Sequence, residues 1–318
     1  MRILVTGASG FVGRQLCHTL TAAGLRVRAA LRNDAPLIEA HERVVIGDIG
    51  PDTEWSGSFE GVDTIVHLAA RVHVMRDLAG DSYAEYRRIN VLGSERLARS
   101  AVESGVRRIV YLSSIKVNGE SSLPAHPFSE ESPPRPNDPY AVSKWEAEQS
   151  LQRLGADEGL EVVIVRPPLV YGPGVRANFL TLLNLVARGV PLPLGAIENR
   201  RSLIYVNNLT DALYRCVVDA RAANRTFLVS DGEDLSTPDM IQRLARALGA
   251  PTRLFSVPPA ALQLLGRLLR REATIDRLTQ SLVVDITSIR TTLGWTPPFS
   301  VQTGFEQTAA WFYGRTDG

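Results

Sequence analysis

The sequence predicts an α/β protein, a doubly wound parallel sheet with helices on both faces and a smaller mixed α/β lobe appended. Three observations predict it. The first half alternates short apolar runs with segments of helical period. The runs "RRIVYLSS" and "EVVIVRP" are almost continuously apolar, as parallel strands buried on both faces are. The chain has 318 residues, long for a single layer and suited to one large body with a lobe.

The elements follow in order. Arg2–Thr6 is a short apolar strand, and Phe11–Ala23 reads as a helix with Phe11, Val12, Leu16 and Leu20 on one face. Further strands are expected over Leu25–Leu31, Arg43–Gly47, Val62–Leu68, Arg107–Ser114 and Glu161–Val165, with helices over Ser82–Ser104 and Tyr140–Gly155. The Pro- and Ser-rich stretch Ser121–Tyr140 is long for a connection inside a compact body and reads as a lid or binding loop. After Pro167 the pattern turns irregular, with a helix from about Ala177. "RSLIYVNNLTDALYRCVVDA" then reads as a strand returning to the main body, followed by a helix. Residues 1–170 with 203–230 are thus assigned to the main body, and 171–202 with 231–318 to the lobe.

Composition excludes several classes. A formal net charge of +1 gives no electrostatic case for nucleic acid. The opening "MRILVTGASG" is already a strand and a turn rather than a secretion signal, and no apolar run is long enough to insert in a membrane. Cys17 and Cys216 are the only cysteines and have no partners at metal-ligand spacing, so no metal site is expected and a cytoplasmic location fits. Of 35 basic residues only Lys116 and Lys144 are lysines, which directs attention to both.

Three motifs carry chemistry. "GASGFVG" places Gly7, Gly10 and Gly13 between the first strand and the first helix. They supply a tight turn, a close approach of backbone N–H groups to a pyrophosphate, and close packing of helix on strand. This marks a Rossmann dinucleotide-binding sheet. "YAVSK" sets Tyr140 and Lys144 four apart on one helix face, where an ammonium favours the phenolate and lets Tyr exchange a proton with a carbonyl or alcohol. "YLSSIKVNG" ends a strand on the ligand side of the sheet. Ser113 and Ser114 alternate there, so one of them can reach the site, and Lys116 is read as sharing the face of Ser114.

With "GDI", "HLAA", "INVLGS", "RPPLVYGPG" and "RSLIYVNNLTDAL" added in this order, the chain resembles, over nearly its whole length, the extended short-chain dehydrogenases/reductases of the nucleotide-sugar epimerase, dehydratase and reductase group. The resemblance implies Ser114, Tyr140 and Lys144 as catalytic residues. It implies a cofactor contact surface of Gly7, Gly10, Phe11, Val12, Gly13, Arg32, Asp48, Ile49, Leu68, Ala69, Ala70 and Pro167, with Tyr140 and Lys144. For a UDP-sugar substrate it implies Tyr171 near the sugar, Asn178 and Arg201 on the diphosphate, Arg277 in the same role, and Lys116 within reach. Members of the group dimerise through helices equivalent to Ser82–Ser104 and Tyr140–Gly155, which implies a homodimer.

The reaction is narrowed by two places. Dehydratases of the group carry Asp-Glu directly after the catalytic serine; here Ile115 and Lys116 stand there. An acidic residue at the end of the second strand would hold the ribose of NAD; counting from Gly13, that place falls on Leu31, and Arg32 follows. An arginine there suits a 2′-phosphate, so NADP(H) is favoured, with NAD(H) as the alternative. "HLAARVHVM" and "SSIKVNG" look most like the bacterial polysaccharide-pathway reductases of UDP-4-keto-6-deoxy-N-acetylhexosamines. The alternative is a 4-epimerase of UDP-glucose or UDP-N-acetylglucosamine that retains NAD. A non-catalytic NADP(H)-sensing protein is the remote alternative, disfavoured by the Tyr–Lys pair.

Overall fold

A computed structural model describes residues 1–34, 38–72, 82–268 and 272–314. The motif "HLAARVHVM" therefore leaves the described residues after Val72. The main body is built on β1 (Arg2–Thr6), β2 (Arg26–Leu31), β3 (Glu42–Val45), β4 (Thr64–His67), β5 (Arg108–Leu112), β6 (Glu161–Arg166) and β9 (Thr226–Leu228). These strands pair in parallel in the order β3-β2-β1-β4-β5-β6-β9. The order reverses between β1 and β4, and in open sheets the crevice outside that switch point takes the ligand.

Strand alternation sends side chains to two cores. Ile3, Val5, Val66, Val110 and Val163 face one, closed by Leu16 and Leu20 of α1 (Phe11–Ala22) and Leu209 and Leu213 of α6 (Val206–Val218). Leu4, Ile65, Ile109, Tyr111 and Ile164 face the other. It is closed by Leu97 and Ala101 of α3 (Gly93–Glu103) and by Ala147, Leu151 and Leu154 of α4 (Pro139–Glu158). The helix expected over Ser82–Ser104 is interrupted: α2 (Ser82–Tyr86) runs through a π-helical turn, Arg87–Leu92, into α3.

The lobe has its own core, in which Tyr171, Phe179, Leu183, Leu203, Ile241, Leu244 and Phe305 meet. These residues come from β7 (Leu169–Tyr171), α5 (Ala177–Ala187), β8 (Arg201–Tyr205), α7 (Thr237–Ala247) and α11 (Val301–Gly314). Here the structure differs from the expected path. The strand Arg201–Tyr205 does not return to the main sheet; it pairs with β7 and with β10 (Asp234–Leu235) in a three-stranded sheet of the lobe. What returns is α6, which packs on α1, and β9, which adds the seventh strand. Three more helices, α8 (Pro259–Leu268), α9 (Glu272–Thr279) and α10 (Thr287–Leu293), complete the chain. Among the described residues no helix is long and apolar enough to cross a membrane.

The stretch Ser121–Tyr140 is not a free lid. Ser122 N–H and Phe128 N–H donate to the carbonyls of Ser281 and Val283, Asp285 N–H donates to Phe128 O, and the Glu130 carboxylate accepts from Leu228 N–H. These bonds tie it to the segment 281–285 and to β9.

Candidate active site

The glycine turn fits a dinucleotide pyrophosphate. Gly7 has φ +66°, and a Cβ there would come 2.8 Å from Ala69 N; a Cβ on Gly13 would come 2.1 Å from Gly7 O. Side chains at either place would push the turn off the strand. Gly10 opens α1 with no side-chain cap, and no acidic residue stands in its first turn, so its free N–H groups and positive dipole end face outward. Phe11 and Val12 pack against the lobe core, and a Cβ on Gly174 would sit 3.4 Å from the Phe11 ring.

The neighbouring strand end is held by a directed hydrogen-bond chain. Ala69 N–H donates to Thr6 Oγ1 (3.3 Å), and Thr6 Oγ1 donates to His67 Nδ1 (2.6 Å). His67 Nε2 donates to Ser94 Oγ (2.9 Å), and Ser94 Oγ donates to Asn90 O (2.6 Å). Burial, with the Lys144 charge added, pulls His67 down to about 3, so the ring is neutral, as this tautomer requires. Asn90, in the π-helical turn, accepts from Arg71 N–H and donates to Arg71 O and to Ser143 Oγ, coupling the segment after Leu68, Ala69 and Ala70 to α4. π-turns of this kind are found at functional sites. Sequence reasoning assigned no role to Thr6, His67 or Asn90; the available signal was polar residues inside otherwise apolar elements.

Ser114 lies just past β5. It is not on a strand face but caps a 3-10 turn, Ile115–Val117, and its Oγ accepts from Lys116 N–H at 3.2 Å. Ser113 is turned inward and buried. The chain therefore leaves strand geometry at Ser114, and the expectation that Lys116 shares its face fails. Lys116 is engaged in ion pairs. Its ammonium lies 2.8 Å from Glu120 Oε1 and 2.5 Å from Asp138 Oδ2, and it is 22% exposed. Pro167, buried at the exit of β6, accepts from Ile115 N–H and braces the same turn.

Asp138 caps α4, accepting from Ala141 N–H at 2.7 Å, and Pro139 fills the first helical position. Tyr140 follows, half-buried, with the Tyr86 ring edge-on at 6.2 Å and the Ser114 hydroxyl bonded to its phenol. Lys144, one turn on, is 2% exposed, and its ammonium sits 4.2 Å over the Tyr111 ring. Burial dominates the electrostatics of both. Tyr140 is pushed up to about 12 by burial, then by Asp138, against the Ser114 bond. Lys144 is pulled down to about 7 by burial, against Glu148. The expected phenolate is thus not supplied by Lys144 alone. Glu148 is itself buried and paired with Arg166, which donates 3.0 Å from Nε to Oε1 and also bonds Asn118.

β2 ends at Leu31, which is buried in the core and offers no carboxylate at the strand end. Arg32 is the residue that emerges there, paired through Nε with Asp48 Oδ1 at 2.8 Å; the two side chains are 72% and 73% exposed. Ile49 packs against Gly93 of α3, where a Cβ would come 2.7 Å from its methyl.

The predicted substrate residues divide. Arg201 is partly buried at the start of β8, its Nη1 donating to Gln280 O at 2.9 Å. Burial and then Arg277 lower its proton affinity while Glu120 raises it, so two arginines face one region. Arg277 stands exposed on α9, and Asn178 stands exposed in the first turn of α5, after Ala177 at φ +52°, a strained value for a residue with a Cβ. The structure contradicts the sugar-facing role of Tyr171. Its side chain is 0% exposed, packed among Phe179, Tyr205 and Phe305, with its hydroxyl donating to Asp231 Oδ2 at 2.8 Å.

Known proteins share this arrangement. The model of the NAD dependent epimerase/dehydratase family matches residues 3–229. A protein of Vibrio cholerae named UDP-glucose 4-epimerase is 45% identical, covering 98% of this chain and 95% of the relative. A UDP-glucose 4-epimerase of Mycolicibacterium smegmatis is 31% identical over 99% of this chain and 100% of the relative. Among solved structures, MoeE5 in complex with UDP-glucuronic acid and NAD superposes with a TM-score of 0.79 at 26% identity, covering 99% of this chain and 100% of that one.

Proposed function

The chain belongs to the NAD dependent epimerase/dehydratase family, and we propose that it is a UDP-hexose 4-epimerase that keeps its NAD between turnovers. The observation that carries this reading is the 45% identity, across 98% of the chain, to a protein named UDP-glucose 4-epimerase. The geometry is consistent with it. Ser114 and Tyr140 converge where a sugar hydroxyl can be held, while buried Ile115 and ion-paired Lys116 leave no acid pair beside the serine to expel water. The expectation of a 4-keto-sugar reductase gives way to the epimerase on this ground. NAD in place of the favoured NADP(H) is supported by the superposable MoeE5, solved in complex with NAD.

NAD held at the Gly7–Gly13 turn would supply the two-electron acceptor, and then the donor, for the sugar's C4–H bond. Tyr140 takes the proton of the 4-hydroxyl as that C–H bond breaks, and gives it back to the 4-keto oxygen after the ring has turned, so no proton or electron pair is lost. Ser114 holds the reacting oxygen against Tyr140. Lys144, under the phenol and over Tyr111, holds the ribose and supplies positive charge next to the developing phenolate. Arg201 and Arg277 hold the diphosphate by charge-assisted bonds.

One observation keeps a second reading. Arg32 emerges where a 2′-phosphate would lie, and its exposed pair with Asp48 is weak enough to exchange for a phosphate. That favours a reductase consuming NADPH. Both readings are tested by denaturing freshly purified protein, identifying the dinucleotide released, and assaying UDP-glucose and UDP-galactose interconversion with none added. Stoichiometric NAD and unaided interconversion are expected. An empty protein that is active only with added NADPH overturns the epimerase.

A further inference from the structure

Lys116 spans two elements that bear the reacting groups. Its backbone N–H donates to Ser114 Oγ, and its ammonium reaches Asp138, the residue that caps α4 two places before Tyr140. Glu120 closes the cluster from the other side. One lysine therefore ties the serine turn to the head of the tyrosine helix.

We propose that Lys116 is a positioning residue: its ammonium locks the Ser114 turn against the capping Asp138 and offsets the Asp138 charge beside the Tyr140 phenol. The inference rests on Tyr140 acting as the base.

The charges around Tyr140 make the sign definite. On its own helix stand Asp138 and, one turn on, Lys144 with Glu148 behind it. Tyr86 faces it from α2, and Ser114 from the β5 exit. After burial, the Asp138 carboxylate is what holds the Tyr140 phenol up. A carboxylate near a phenol opposes the phenolate, and a cation 2.5 Å from that carboxylate cancels part of the effect. Asp138 needs the partner more than an exposed carboxylate would: its Oδ1 is committed to Ala141 N–H and its side chain is 21% exposed. Lys116 is one of the two lysines of the chain, and its ammonium is committed to two carboxylates.

The test is the pH dependence of kcat in four proteins: wild type, Lys116→Met, Asp138→Asn and the double variant. Asn accepts the same backbone N–H, so the cap survives. In Lys116→Met the limb that reports the base is expected to move ~1 pH unit alkaline, which costs ~10-fold in kcat on its acid side, with KM for the UDP-sugar unchanged. Asp138→Asn alone moves the limb acid, so the inference stays testable even if Lys116→Met fails to fold. In the double variant the limb returns towards wild type, because the charge needing compensation is gone. Lys116→Arg restores the profile of the wild type. Superimposed profiles overturn the proposal, as does a double variant worse than Lys116→Met. A raised KM with an unmoved limb assigns Lys116 to the substrate instead. Failure of the underlying reading looks different: Tyr140→Phe would then retain turnover, whatever Lys116 does.

Discussion

On the proposed catalytic shelf, Ser114, Tyr140 and Lys144 stand on backbone that the sheet fixes: the exit of β5 and the first turns of a helix capped by Asp138. At the proposed mouth of the lobe, Asn178 and Arg277 are exposed on α5 and α9, and Arg201 donates to the carbonyl of Gln280. The shelf is held by buried networks, with Lys144 over Tyr111, Glu148 against Arg166, and His67 between Thr6 and Ser94. The residues of the mouth stand in more solvent than that. Rigid groups suit the reacting atoms, where a displacement of an ångström is costly. Adaptable arginines suit a diphosphate, which tolerates several geometries.

The shelf is tested hardest by Tyr140→Phe. Removing the proton acceptor while keeping the ring against Tyr86 is expected to lower kcat by ~10³-fold, with UDP-sugar affinity within about twofold of wild type. Steady-state kinetics beside calorimetric titration separates the two. Retained turnover would mean that the shelf is not where the proton moves, and the contrast between shelf and mouth would lose its chemical meaning.

The mouth is expected to respond in affinity rather than rate. Arg201→Leu should weaken UDP-sugar binding ~10–30-fold, the worth of a charge-assisted bond on a partly buried group, with kcat within about threefold. Arg277→Ala should cost only ~3-fold, because solvent screens an exposed cation. Titration of each variant at two salt concentrations checks the order. Equal losses would show the mouth to be as rigidly arranged as the shelf.

The sequence made the shelf legible because its residues are set by topology. A glycine turn after the first strand, a serine at a strand exit and a Tyr–Lys pair at helical spacing each have a place dictated by backbone geometry. The end of β2 was legible in the same way: the count from Gly13 falls on Leu31, the last residue of the strand, which presents no carboxylate. Lys116 was misplaced because the strand period was carried past Ser114, where a 3-10 turn begins. The strand at Arg201–Tyr205 was sent to the wrong sheet, since an apolar run specifies burial but not its partner. Of the reading of Ser121–Tyr140 as a lid or binding loop, the sequence did not show the bonds that pin it, because they come from Ser281, Val283 and Leu228, distant in the chain.

Tyr171 marks the boundary between the two regions and yields the smallest of these effects. Its ring is a core residue, and Gly304 approaches so closely that a Cβ there would come 2.6 Å from the hydroxyl. That hydroxyl is one of three donors to Asp231, with Tyr205 N–H and the Asn208 amide on the other oxygen. Burial raises the proton affinity of Asp231, and the three hydrogen bonds oppose it. Tyr171→Phe keeps the packing and removes one donor from a buried carboxyl, so it should cost ~1–3 kcal/mol of stability. It should leave KM and kcat near wild type, since a side chain with no exposed surface has none to offer a sugar. Denaturant unfolding beside steady-state kinetics reads both. A raised KM with unchanged stability would return Tyr171 to the substrate and extend the mouth of the lobe inward to β7.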